Sequence, residues 1–122
     1  MELTIKKVRD IVVVGLAEPG TLEASNVEPF REAMANLVEG NTRLLIDMGN
    51  VTFLDSSGLG ALVAIWRRVS AKDGEMKLCR IGSMVRTVFE LTRIHRIFEI
   101  HDTEEEALAN YQTSSEGGSQ GK

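Results

Sequence analysis

With 122 residues, 43% of them apolar and 26% charged, the chain has the length and composition of one soluble globular domain. Its 18 acids against 14 bases leave a net charge of −4, which argues against nucleic acid as a partner, since binders of nucleic acid present a basic face. A single cysteine, Cys79, excludes a disulfide framework and a Cys-x-x-Cys metal pair, in keeping with a reducing compartment.

In chain order, Leu3 to Val8 alternates loosely, Arg9-Asp10 interrupts it, and Ile11-Val12-Val13-Val14 follows, so the chain opens on a β-hairpin that Pro19-Gly20 stops. Ser25-Asn26-Val27-Glu28 has the form of a capping box. Phe30, Met34, Leu37 and Val38 then fall at helical spacing, and Gly40-Asn41 suits a left-handed stop. Arg43 to Met48 reads as a short buried strand. Leu59, Leu62, Val63, Trp66 and Val69 mark a second helix ending near Asp73-Gly74. Met76 to Ile81 is a further strand, with Cys79 expected as an inert buried thiol. Ser83 is placed to cap a helix carrying Val85, Val88, Phe89 and Leu91. Phe98-Glu99-Ile100 reads as a last short strand, and Thr103-Glu104-Glu105-Glu106 as a second capping box with acids in its first turn.

The resulting order is β-β-α-β-α-β-α-β-α. Strands that alternate with helices pair in parallel, because each crossover needs a helix, and only the opening hairpin has a link short enough to be antiparallel. The fold class expected is therefore α/β, a mixed sheet of four or five strands packed with about four helices. Residues 1–112 form the domain. Residues 113–122, rich in Gly, Ser and Gln, contain no apolar residue and are expected to be disordered. No apolar run approaches the about 18 residues of a membrane span, and Met1-Glu2-Leu3-Thr4 carries no signal pattern. The expected location is the cytoplasm, without membrane insertion.

The most informative run is Asp55-Ser56-Ser57-Gly58-Leu59-Gly60, between the strand at Leu44 to Met48 and the helix that Leu59 opens. Such a junction puts two hydroxyls and several backbone N–H groups at a positive helix end. Catalysis finds little support there. A hydrolase elbow needs Gly-x-Ser-x-Gly, whereas Leu54 stands two residues before Ser56 and Asp55 two before Ser57. His95 and His101 lie late in the chain and read as surface or satisfied structural residues. No carboxylate or histidine spacing suggests a metal site, and no cofactor is expected. Gly58-Leu59-Gly60 is not a dinucleotide fingerprint, because Val63 stands where its third glycine would fall. Helix capping accounts for one polar residue of this run and leaves the others unexplained.

Val51-Thr52-Phe53-Leu54-Asp55-Ser56-Ser57-Gly58-Leu59-Gly60 resembles the signature loop of the STAS family, named for sulfate transporters and anti-sigma factor antagonists. The resemblance runs from residue 3 to 111. It includes Gly20-Thr21-Leu22-Glu23, where the family usually has Gly-x-Leu-Asp, and Gly74-Glu75-Met76-Lys77-Leu78 at its second glycine turn. It extends to Val88-Phe89-Glu90-Leu91-Thr92 and Ile97-Phe98-Glu99-Ile100.

What the resemblance implies is a bacterial partner-switching regulator. The unmodified antagonist binds an anti-sigma factor that is also a GHKL-type serine kinase, the kinase phosphorylates a loop serine, and a PP2C-type phosphatase resets it. By position that serine is Ser56, and the implied partner surface comprises Glu23, Asp55, Ser56, Ser57, Gly58, Leu59 and Gly60. Within it, Ser57 is expected to cap the helix or support the loop. Gly58 and Gly60 would let a partner backbone come close, while Leu59 suits either core packing or partner contact. Glu23 departs from the family's aspartate by one methylene. The resemblance leaves two rivals: an accessory or scaffold STAS protein of a stress-sensing or lipid-transport complex, and a nucleotide-sensing STAS domain.

Overall fold

The computed structural model describes residues 1–111, and the expected tail at 113–122 lies outside them. Five strands form the main sheet: β1 (Leu3–Val8), β2 (Ile11–Leu16), β4 (Arg43–Asp47), β6 (Glu75–Cys79) and β7 (Glu99–His101), in the order β1-β2-β4-β6-β7. β1 and β2 are antiparallel and pair from Leu3↔Leu16 to Val8↔Ile11 across the two-residue turn Arg9-Asp10, where Arg9 takes a positive φ of 58°. All other pairings in this sheet are parallel. The expected mixed sheet is thus the one observed.

Two strands were not expected. β3 (Gly20–Leu22) and β5 (Val51–Leu54) form a separate parallel pair, with Leu22 opposite Leu54. At three and four residues they are too short for periodicity to declare them.

Alternation along β2 sends its side chains to two different cores. Val12, Val14 and Leu16 join Leu44, Ile46, Met76 and Leu78 under three helices, α1 (Val27–Gly40), α2 (Ser56–Ala71) and α3 (Ser83–Thr92). Ile11 and Val13 point the other way, with Leu45 and Cys79, and are covered by Ala107 of α4 (Glu104–Ala109) and by Tyr111. Cys79 is buried as expected, but on the face it shares with Lys77, not with Met76 and Leu78. Burial pushes its thiol up to about 12, so it stays protonated and unreactive at neutral pH.

Three expected terminal devices take another form. The Ser25–Glu28 box does not form: Asn26 holds the N-cap position of α1 without a side-chain cap, its side chain accepting from Glu23 N at 2.9 Å and donating to Thr21 O at 2.8 Å. α1 stops with Asn41 extended at φ −140°, its amide donating back to Leu37 O at 2.9 Å, so no left-handed residue is used. Gly82, not Ser83, occupies the cap position of α3, with no side-chain cap. The box at α4 does form: Thr103 Oγ1 accepts from Glu106 N at 3.0 Å, and Glu106 Oε1 accepts from Asp102 N at 3.2 Å.

Candidate functional site

The run from Asp55 to Gly60 begins where β5 hands over to α2. Asp55 is the N-cap: one carboxylate oxygen accepts from Ser57 N at 2.9 Å and Gly58 N at 3.1 Å. The other accepts from Ala24 N at 3.1 Å, and Asp55 N donates to Leu22 O at 3.2 Å. A residue that would suffice as a cap therefore also fastens the segment after β3 onto the start of α2. The backbone donors, Ala24 first and then Gly58, hold the Asp55 carboxyl below the usual carboxylate range, so it is ionised at neutral pH. Capping falls to Asp55, and Ser57 contributes its backbone N–H.

Gly58 is buried at the same joint. A Cβ there would stand 2.4 Å from Leu22 O and 3.0 Å from the Cβ atoms of Leu22 and Leu54, so the missing side chain lets α2 seat against β3 and β5. Gly60 differs: it is exposed, and a Cβ would meet nothing within 4 Å. The close approach expected at both glycines is taken up inside the fold at one and left to the surface at the other. Leu59 is half-buried against the main core, which agrees with packing and leaves part of it accessible.

Ser56 is exposed, and among the described residues its hydroxyl makes no hydrogen bond. Glu23 directly precedes Ala24, whose N–H donates to Asp55, and its carboxylate accepts from Thr21 Oγ1 at 2.6 Å. Among the described ion pairs none involves Glu23 or Asp55. The seven residues expected to share a surface are therefore assembled at one end of α2, with Gly58 beneath the surface and the rest at or near it. Sequence reading missed the supporting residues Thr21, Ala24 and Asn26; the run Gly20-Thr21-Leu22-Glu23 was the signal for them.

Neither histidine hydrogen-bonds Ser56 among the described residues. His101 Nε2 is 2.7 Å from Glu99, and His95 Nδ1 is 3.3 Å from Phe89 O, so both histidines are satisfied structural residues. Among the described residues no group of three or more His, Cys, Asp or Glu side chains could hold a metal, and no helix is long and apolar enough to cross a membrane.

The sequence profile of the STAS domain matches residues 2–107. The chain belongs to the STAS domain family. Among sequence relatives, the anti-sigma F factor antagonist of Paenibacillus polymyxa is 24% identical over 117 residues, covering 94% of this chain and 98% of that one. The crystal structure of TM1081 from Thermotoga maritima is similar at a TM-score of 0.82 and 28% identity, over 88% of this chain and 92% of that one. The Bacillus cell fate determinant SpoIIAA in its phosphorylated form is similar at a TM-score of 0.70 and 25% identity, over 90% and 99%. In this STAS domain the signature loop spans the joint between β5 and α2.

Proposed function

We propose that the chain is a non-enzymatic anti-sigma factor antagonist, switched by phosphorylation of Ser56. The observation that carries this reading is an exposed serine hydroxyl with no partner of its own, held beside an ionised aspartate on a joint braced from two segments. Its relatives include proteins named anti-sigma factor antagonists and one solved in a phosphorylated form.

The physics of the switch follows from charge. A phosphate brings about −1.5 to −2 charges at neutral pH. In the isolated protein the positive end of α2 partly stabilises it, and solvent does the rest. In a complex, the phosphate must be desolvated against a surface fitted to a neutral hydroxyl, beside Asp55 and near Glu23. Burial and like-charge contact there cost several kcal/mol, on the order of a hundredfold or more in affinity. Because Ser56 is exposed, this needs no rearrangement of the fold. The partner in this reading is an anti-sigma factor with a GHKL-type serine kinase domain, and a PP2C-type phosphatase restores the binding form, all in the cytoplasm. Residues 1–112 are the functional unit.

The test is phosphorylation itself. The chain and its Ser56→Ala variant are incubated with ATP and lysate of the organism that encodes it, and intact masses are measured and the site mapped. One added phosphate on the unaltered chain alone, at Ser56, is the expected result. No modification of either, while a known antagonist is labelled in the same lysate, contradicts the switch and favours a constitutive accessory role.

A further inference from the structure

The face of the main sheet that α4 covers holds a cavity of about 310 Å³ at the carboxyl ends of β2, β4 and β6, and no residue of the signature loop lines it. Its floor follows from strand register. Thr4, Gly15, Asp47 and Cys79 stand side by side across β1, β2, β4 and β6, and Gly15 is the one member of that row without a side chain. Neighbouring Val13, Leu45 and Cys79 lie under Ala107 and Tyr111, whereas of α4 only Glu104 reaches the cavity. The hollow is thus the place where the row lacks a side chain and α4 has only begun. Open α/β sheets take their ligands in crevices outside the carboxyl ends of the strands.

Two ion pairs line the cavity, Lys6 Nζ with Glu104 Oε1 at 2.7 Å and Arg80 Nη1 with Asp47 Oδ2 at 3.0 Å. The four groups are close neighbours. Burial is the first cause that holds the Cys79 thiol high; after it Asp47 and Glu104 raise it further, while Arg80 and Lys6 lower it, so all four charges lie within electrostatic reach of one atom. Arg80 takes a left-handed φ of 60°, uncommon for a residue with a side chain. Its guanidinium lies over Gly49, where a Cβ would stand 2.5 Å away. The pair with Asp47 engages one guanidinium nitrogen, and the others make no hydrogen bond among the described residues. Glu104 likewise has one carboxylate oxygen outside its pair with Lys6.

Charge then selects the ligand. An anion entering the cavity meets Asp47 and Glu104, and a cation meets Lys6 and Arg80. No group of three or more His, Cys, Asp or Glu side chains stands there to hold a metal among the described residues. A molecule with one charge of each sign can pair with both and brings no net charge to be desolvated. The volume is at the small end of ligand pockets, which run from about 300 to 1,000 Å³. We infer that this cavity binds a small zwitterion of the α-amino acid class, its carboxylate turned to Arg80 and Lys6 and its ammonium group to Asp47 and Glu104. The site is independent of the antagonist function and stands or falls without it.

The test is a titration of the whole isotope-labelled chain at neutral pH with each of the free protein amino acids in turn, read by amide shifts. Acetate and ethylamine, which carry one of the two charges each, are titrated in parallel. Saturable shifts at Thr4, Lys6, Gly15, Asp47 and Arg80 are expected with at least one amino acid, and acetate and ethylamine should bind about tenfold more weakly or worse. Arg80→Gln and Glu104→Gln, each first checked for a cooperative melting transition, should each weaken that amino acid by about tenfold or more. No saturable shift with any amino acid, or shifts confined to other residues, overturns the site. Acetate binding as tightly as the amino acid and unaffected by Glu104→Gln also overturns it, making the cavity an anion site only. Should a variant fail to fold, the comparison with acetate and ethylamine decides on the unaltered chain alone.

Discussion

The starts of α4 and α2 perform the same structural task with different means. At α4, Thr103 and Glu106 satisfy backbone donors within five residues, from Asp102 to Glu106, and the contacts from outside, His101 on Glu106 and Lys6 on Glu104, fall on side chains and satisfy no backbone donor. At α2, Asp55 satisfies two donors of its own helix and a third from Ala24, 31 residues earlier, while Gly58 admits the carbonyl of Leu22. The first cap is local and complete. The second spends long-range contacts on fixing the backbone around a serine whose hydroxyl it leaves unused. Polar side chains at a helix start are thus weak indicators of function by themselves; a hydroxyl left over after the joint is satisfied is a stronger one.

The largest effect on that contrast is expected at Gly58. Gly58→Ala drives a Cβ onto Leu22 O and the Leu54 side chain, neither of which can swing away, and should cost about 3 kcal/mol in urea unfolding. A variant as stable as the parent would mean that the joint is looser than described. On the other side of the sheet, buried Tyr111 donates its hydroxyl to Leu44 O just beyond α4. Tyr111→Phe leaves that acceptor short of a partner and should cost about 1 kcal/mol by the same measurement. Thr103→Ala should likewise cost about 1 kcal/mol through the lost cap.

Gly60→Ala should go the other way, stabilising by about 0.5–1 kcal/mol, because the site is exposed, helical and open. A fall in partner affinity in this more stable variant would locate a contact at Gly60 without any confusion from folding. The subtlest effect is on pH dependence. Asp55 has its pKa lowered in the folded state, so its contribution is present above the unfolded carboxylate value and is lost as pH falls through the lower folded value. Asp55→Asn should therefore flatten the acid limb of the stability profile while leaving its slope above neutral pH unchanged.

The main sheet and its four helices were legible because their apolar residues recur at the spacings that strands and helices require, as Val12 to Leu16 and Leu62 to Val69 do. The pair β3 and β5 was not legible. Its strands are too short for a period, and Leu22 and Leu54 meet only because the intervening chain returns to the same place. Asn26 shows the same limit in one side chain: its sequence context suits a cap, yet the nearby turn at Thr21 and Glu23 takes its amide. At the site, the residues of the signature loop were readable from their pattern. The division of labour among them was not, since Gly58 and Gly60 look alike in sequence and differ in whether the Leu22 carbonyl crowds the place a Cβ would take.

The central claim is that Ser56 matters for recognition and not for folding. It is tested most directly by measuring the affinity of the kinase that modifies Ser56 for the unmodified chain, Ser56→Ala and the Ser56-phosphorylated chain, alongside the melting temperature of each. The account predicts melting temperatures that differ little, near-equal affinity for the first two, and a loss on the order of a hundredfold for the third. Equal affinity in all three, or a loss of affinity matched by a loss of stability, would contradict it.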